Sequence, residues 1–407
     1  MIFEVILFTI LGMIIGVAAG LMPGLHPNTV YVILLSLSFV FIQYPQPAIL
    51  AFIVSVAISN VFLDFIPSIL FGAPDPEVAL SVMPGHRMLM AGRGYEALFL
   101  TVIGGVGAVF LTILTLPLLL YIFPMIYIAI KSYIHYLLLA VLVWMVFSEK
   151  KKEFYAILVL VISGLFGVMT LNTLPPNLSL FPVLTGMFGL AGLVESLMSK
   201  TIVPEKQIIT KPQKSYKGIF TGWLAGIFSG FLPGVGSSEV SAITSQVFKT
   251  KPKDFLVSLG AINTSNMIFT FAVLYMLGNT RSGAAWALSQ VMSSFSFTYL
   301  ILIMVVAGAV ALVSAMLTIK LGKIFITRFL DKVNYRKMNI TIIFVLLGLI
   351  LMFSGPLGIF ISLISMCLGL FTIYSGVRRS LMMNFLIFPT ILFFSGVSPL
   401  ILNFLGI

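Results

Sequence analysis

The chain has 407 residues, 60% of them hydrophobic and only 9% charged, with a formal net charge of +11 and a mean hydropathy of +1.15. A soluble domain cannot hide that much apolar side chain, so the composition predicts a polytopic membrane protein. The Lys and Arg residues sit in short loops with no basic face of stacking aromatics, which argues against nucleic acid as a partner, and the single cysteine, Cys367, excludes an internal disulfide or a cysteine metal site.

The apolar runs are long and continuous, which predicts helices and not the alternating strands of a membrane barrel. The start lacks a basic stretch and a cleavage site, so the first run is read as part of the mature chain. It covers 2–20, stops at Pro23-Gly24 and resumes over 28–42. Each arm is short for a span of about 20 residues, so a hairpin dipping into the bilayer is as compatible as two crossings. A span follows at 48–63. The stretch from Asp64 to Arg93 holds Pro67, Gly72, Pro74, Pro76, Pro84 and Gly85 and is too broken for one helix. Spans are predicted at 94–116, 132–148, 154–171 and 181–198.

Residues 199–217, rich in lysine and holding Pro204 and Pro212, read as a basic cytoplasmic linker. It divides a first transmembrane repeat, 1–198, from a second, 218–407. The second repeat is predicted as a hairpin over 218–248, a span at 254–277, and a break at Gly278–Gly283. One long or bent span, 284–319, and spans at 339–354, 358–375 and 382–403 complete it.

Two stretches carry the repeat. Gly20-Leu21-Met22-Pro23-Gly24 is answered by Gly230-Phe231-Leu232-Pro233-Gly234, and the preceding Gly16 by Gly226. Further on, Phe52 to Asn60 aligns with Phe255 to Asn263. Short basic loops face the cytoplasm. Walking the spans outward from Lys150–Lys152, the linker, Lys249–Lys253, Lys320–Lys337 and Arg378-Arg379 sends the first hairpin in from outside and the second from inside. The expected fold is therefore all-α with two inverted-topology repeats, each a re-entrant or broken hairpin plus about five transmembrane helices.

In lipid every backbone N–H and C=O needs a partner, so a broken helix is tolerated only where protein or a wet cavity covers the break. Paired breaks in two halves point to a carrier's binding site. A helix starting just past Pro-Gly turns unpaired N–H groups and its positive dipole end toward that site, where a carboxylate or phosphate can bind. The first tip offers Pro23, Gly24, His26, Asn28 and Thr29, and the second Pro233, Gly234, Gly236, Ser237 and Ser238. Asn28, Thr29, Ser237 and Ser238 could equally cap their own helices. Asn60, Asn263 and Asn266 fall on apolar helices, as helix-to-helix hydrogen bonds or as pore-facing groups. Arg281, in the second break, is either a charge for an anion or an interfacial anchor. Glu239, Asp64 and Asp75 are acids in apolar surroundings and candidates for ion coupling, with helix capping as the alternative for Glu239 and Asp75. His-Glu-x-x-His, Gly-x-Ser-x-Gly and Walker patterns are absent, and the twelve acids are scattered, so neither an enzyme nor a resident metal is expected.

The paired Pro-Gly signatures resemble those of the large membrane subunit of tripartite tricarboxylate transporters. The stretch from Ala73-Pro74-Asp75 through Pro84-Gly85-His86-Arg87 to Arg93-Gly94, with Gly278-Asn279-Thr280-Arg281-Ser282-Gly283, is similar to that family's segments after each signature. His26 stands where the family commonly has glycine, and Ala73-Pro74-Asp75 replaces its usual Thr-Pro-Gly. The resemblance implies a secondary carrier for di- and tricarboxylates, driven by Na⁺ or H⁺ and needing no other cofactor. It implies a small organic anion as ligand, with a small membrane subunit and an extracytoplasmic binding protein as partners. The expected location is the cytoplasmic membrane, as a multi-pass protein, with a homodimer left open. A translocase for an anionic lipid such as an isoprenoid phosphate is the alternative reading of the same donors.

Overall fold

A computed structural model describes residues 2–22, 43–71, 82–198, 206–210, 215–231, 236–237, 240–241, 243–244, 248, 251–278, 280–292, 295–330, 335–399 and 403. Among the described residues there is no strand, and eight helices are long and apolar enough to cross a membrane. In chain order the principal helices are α1 (Ile2–Leu21), α2 (Gln46–Leu63), α3 (Gly94–Ile130), α4 (Ile134–Phe147), α5 (Glu153–Thr173) and α6 (Phe181–Met198). The second half supplies α7 (Tyr216–Phe231), α8 (Pro252–Leu277), α9 (Gly283–Val291), α10 (Phe297–Arg328), α11 (Tyr335–Ser375) and α12 (Asn384–Ser395). The chain is an all-α polytopic membrane protein.

Several element boundaries differ from expectation: α12 ends at Ser395 where a span to 403 is predicted, and α10 runs on to Arg328 where a span ending at 319 is predicted. α3 runs on to Ile130, straight through Pro117 and Pro124, where a span ending at 116 is predicted. Proline breaks a helix in water, but within a membrane bundle neighbouring groups re-satisfy the freed carbonyls. Instead of one span at 284–319 there are two helices, α9 and α10. Ser282 and Ser296 each start one by accepting a backbone N–H, from Ala285 (3.2 Å) and Tyr299 (3.4 Å). The break expected after 354 is present: Gly355 has φ 66° and ψ −169°, a conformation that suits glycine, ahead of Pro356.

The described residues form two compact units, and each draws on both halves of the sequence. One comprises the described parts of Met1–Tyr121, Ile202–Phe231 and Gly236–Met338, the other those of Ile122–Thr201 and Asn339–Ile407. A spatial unit and a sequence repeat are different divisions. In the second unit α12 lies close on α5: Asn384 Nδ2 donates to Leu160 O at 2.9 Å, and a Cβ on Gly167 would meet Phe385 O at 2.0 Å.

The first unit is built around α2 and α8, which are almost entirely buried although strongly apolar. α1 packs along α2, and α7 along α8, through glycines that let the backbones touch. A Cβ on Gly12 or Gly16 would lie 2.4 and 2.5 Å from the carbonyl oxygens of Phe52 and Val56. On Gly222 or Gly226 it would lie 2.4 and 2.5 Å from those of Ser258 and Ile262. Gly20 and Gly230 repeat the match, at 3.0 Å from Asn60 O and 3.1 Å from Asn266 O.

These contacts correct the sequence alignment. Asn60 corresponds to Asn266, and not to Asn263; Ser59 corresponds to Ser265, and Asp64 to Thr270. Apolar helices shifted by about one turn still present a similar face, so pattern matching alone cannot choose the register. Glycine contacts choose it: Gly12 and Gly16 meet Phe52 and Val56 as Gly222 and Gly226 meet Ser258 and Ile262.

The N-terminal ends of α3 and α8 are joined by charge. Glu96, whose side chain is buried, pairs with Arg93 (2.6 Å) and Lys253 (2.8 Å). Gln207, from the segment read as linker, accepts from Gly94 N (2.9 Å) and donates to Leu89 O (2.7 Å). Ile208 N adds a bond to Gly92 O at 2.8 Å, so this piece of the linker is tied to the loop before α3.

Candidate functional site

α2 ends at Asp64, whose backbone N–H bonds Asn60 O at 3.0 Å. The chain continues through a widened turn, Pro67–Phe71, with i→i+5 pairing. Such turns occur often at functional sites. Asp64 is only 4% exposed. A carboxylate inside a membrane bundle is costly, so it needs polar neighbours or a function.

The neighbours come from the other half of the sequence. Asn263 on α8 donates from Nδ2 to Asp64 Oδ2 at 3.3 Å. Its Oδ1 accepts from Ser237 Oγ at 3.2 Å. Ser237 Oγ in turn accepts from Asn266 Nδ2 at 3.1 Å. The row therefore has a single direction, with each donor pointing toward Asp64. Ser237 and Asn263 are fully buried, while Asn266 is partly exposed and forms the accessible end. Ser241 Oγ also bonds Ser237 O at 2.5 Å.

This row lies near the ends of α1 and α7, the helices that precede the two Pro-Gly pairs in sequence. Gly20, near the end of α1, abuts Asn60, Leu63 and Asp64, and Gly230, near the end of α7, abuts Asn266 and Phe269. Ser237 stands just past the second Pro-Gly break. Of the residues singled out from sequence, Asp64, Ser237, Asn263 and Asn266 are thus brought together. Gly236 precedes Ser237 and is partly exposed, and Asn60 lies one turn before Asp64 on α2. Arg281 is partly exposed in the break ahead of α9. Pro23, Gly24, His26, Asn28, Thr29, Asp75, Pro233, Gly234, Ser238 and Glu239 lie outside the described residues.

Sequence reasoning missed two sets of polar contacts, one at Thr270 and one between α2 and α10. Thr270, which takes the place of Asp64 in the second half, shares a hydrogen bond with Ser282 Oγ at 3.1 Å. Between α2 and α10, Ser314 bonds Ser59 Oγ (3.2 Å) and Thr318 bonds Phe62 O (3.1 Å). The corrected register reveals the first; no pattern within α10 announces the second. Among the described residues no group of three His, Cys, Asp or Glu side chains could hold a metal ion.

His86 closes the break after α2. Its Nδ1 lies 3.1 Å from Ile69 O, and because a carbonyl only accepts, Nδ1 is the donor. Burial lowers the pKa of His86 from 6.5, and the bond to Ile69 opposes that only in part. Below pH 6.5 the unfolded chain then takes up a proton that the folded one resists. The contribution of His86 to stability is complete above that value and is lost as pH falls through the lowered folded value. Thermal unfolding in detergent across this range is expected to show a stability loss on acidification that His86→Gln diminishes.

A model of the tripartite tricarboxylate transporter TctA family matches residues 6–384. An uncharacterised protein of Methanocaldococcus jannaschii is 31% identical over 405 residues, covering 96% of this chain and 98% of that relative. No solved structure matches the chain. A match over almost the whole length, together with eight long apolar helices among the described residues, makes the chain a transport component with many membrane helices. The protein belongs to the tripartite tricarboxylate transporter TctA family.

Proposed function

We propose that the protein is a secondary active carrier that moves an organic anion of the di- or tricarboxylate class across the cytoplasmic membrane by alternating access, coupled to a proton or Na⁺ gradient. The observation that carries this reading is the buried row Asp64–Asn263–Ser237–Asn266 beside the second break. It joins a carboxylate suited to a coupling cation with hydroxyl and amide donors suited to an anion. In this reading the anion binds between the two tips. Backbone N–H groups past Pro23-Gly24 and Pro233-Gly234-Gly236 hold its charge, with Asn28, Thr29, Ser237, Ser238, Asn60 and Asn266 as side-chain donors. His26 and Arg281 add titratable or fixed positive charge. Glu239, Asp64 and Asp75 are the coupling acids, and the two halves act as inverted repeats.

The family supports partner subunits, proposed as a small membrane subunit and an extracytoplasmic binding protein. The role is transport and not catalysis. Uptake of labelled citrate and succinate into proteoliposomes, with and without imposed pH and Na⁺ gradients and with the partner subunits added, tests the reading. Gradient-driven uptake is the expected result. Absence of uptake and of binding for every carboxylate, even with partners present, would overturn it. The second reading, translocation of an anionic lipid, draws on an apolar groove of about 430 Å³ between α3 and α10, lined by residues such as Leu116, Leu120, Leu300 and Met304. Flip of a labelled isoprenoid phosphate, without carboxylate uptake, would favour it.

A further inference from the structure

The direction of the hydrogen bonds in the buried row assigns a coupling mechanism, and it rests on the carrier reading above. Ser237 has one hydroxyl hydrogen and two acceptor lone pairs. As the row stands, that hydrogen is committed to Asn263 Oδ1, and one lone pair receives Asn266 Nδ2. Asn263 holds the hydroxyl in this way because its own Nδ2 faces the Asp64 carboxylate, which can only accept while ionised.

We propose that Asn263 is the positioning residue that couples the driving cation to the anion, by a half-turn of its amide. A positive charge arriving at Asp64, as H⁺ or Na⁺, reverses what the carboxylate asks of its neighbour. Protonated, Asp64 has an O–H to donate; with Na⁺ bound, it calls for a second oxygen ligand. In either case the Asn263 amide turns so that Oδ1 faces Asp64 and Nδ2 faces Ser237. Ser237 then accepts two hydrogen bonds, from Asn263 and from Asn266, and its own hydrogen is released. A freed hydroxyl beside the second break is a donor for a carboxylate substrate. No bond is broken beyond the transfer of one H⁺ to a carboxylate oxygen, or none at all with Na⁺.

The charged groups on the elements around α2 are Glu4 on α1, Glu96 on α3, Lys253 and Asp254 on α8, and Lys320, Lys323 and Arg328 on α10, with Arg281 ahead of α9 and His86 beyond the widened turn. Lys253 and Glu96 satisfy each other. Asn263 is the group through which α8 meets the carboxylate.

Because the freed hydroxyl donates to a charged carboxylate, the cation is expected to tighten substrate binding by about tenfold or more. By reciprocity the substrate tightens cation binding by the same factor. The test is binding of labelled citrate to the purified full-length protein. One series runs from acidic to alkaline pH in choline buffer, and another adds Na⁺ at alkaline pH. The series that raises affinity identifies the cation.

Two substitutions then push in opposite directions. Ser237→Ala removes the donor, so affinity stays at its cation-free level whether or not the cation is present. Asn263→Leu removes the competitor for the hydroxyl, so affinity stays at its cation-bound level without the cation. A merely structural role would lower affinity in both states. Cation dependence unchanged in either variant would overturn the relay while leaving the site intact. If Asn263→Leu does not fold, Ser237→Ala decides alone. A wild-type protein that binds neither citrate nor succinate under any condition overturns the carrier reading itself.

Discussion

Asp64→Asn is expected to abolish gradient-driven accumulation while substrate exchange across the membrane continues. The carboxylate is 4% exposed and lies at the end of a row of donors that all point toward it. An amide at this position has the same size and keeps an oxygen for Asn263, so the fold should lose no more than about the 1 kcal/mol of an ordinary hydrogen bond. It cannot take up a proton, and it offers a cation no negative charge. The exchanged species then crosses in either direction, but nothing ties it to the gradient. The decisive comparison is counterflow against net uptake in the same vesicles. Loss of both with a normal unfolding temperature would make Asp64 a substrate ligand. Survival of both would remove it from coupling and leave Glu239 and Asp75 as the acids to test.

The second large effect is on folding. α3 and α8 cross at a pair of glycines: a Cβ on Gly104 would lie 1.9 Å from Val257 O, and one on Gly260 2.0 Å from Thr101 O. Carbonyl oxygens in two helices cannot move aside like the end of a flexible side chain. Gly260→Leu must therefore force the helices apart, which also strains the Glu96–Lys253 pair at their N-terminal ends. Overpacking of this kind costs about 1–3 kcal/mol and more where backbone is involved, so the variant should fall well below the parent in thermal stability or fail to accumulate. The contrast is Gly348→Ala in α11, where an added Cβ meets nothing within 4 Å. Alanine is the better helix former by about 0.8–1 kcal/mol, so this change should be neutral or stabilising. Unfolding midpoints for the two variants in one detergent would check both signs; an unaffected Gly260→Leu protein would mean that the helices have slack this packing does not have.

Much of the architecture follows from composition and punctuation. Long uncharged runs can only be membrane helices, because lipid leaves backbone groups no partner outside the helix. Gly355-Pro356 ends its helix where expected because no other residue pair is so well suited to a positive φ followed by a missing donor. Of the polar residues after the second Pro-Gly pair, Ser237 joins a buried row with Asn263, Asn266 and Asp64. Proline was a poor guide elsewhere: Pro117 and Pro124 lie inside α3.

Register and partnership were not legible. Asn60 and Asn263 match by local pattern, yet glycine contacts pair Asn60 with Asn266 and leave Asn263 with a different task, facing Asp64 from the other half of the chain. A sequence lists which residues can donate and accept, and its hydrophobic period selects the helices. Only the tertiary structure decides which donor meets which acceptor, because that depends on how closely two helices approach, a distance set by small residues many positions away. The single direction of the row from Asn266 to Asp64 is a property of that approach and of nothing local to any one of its residues.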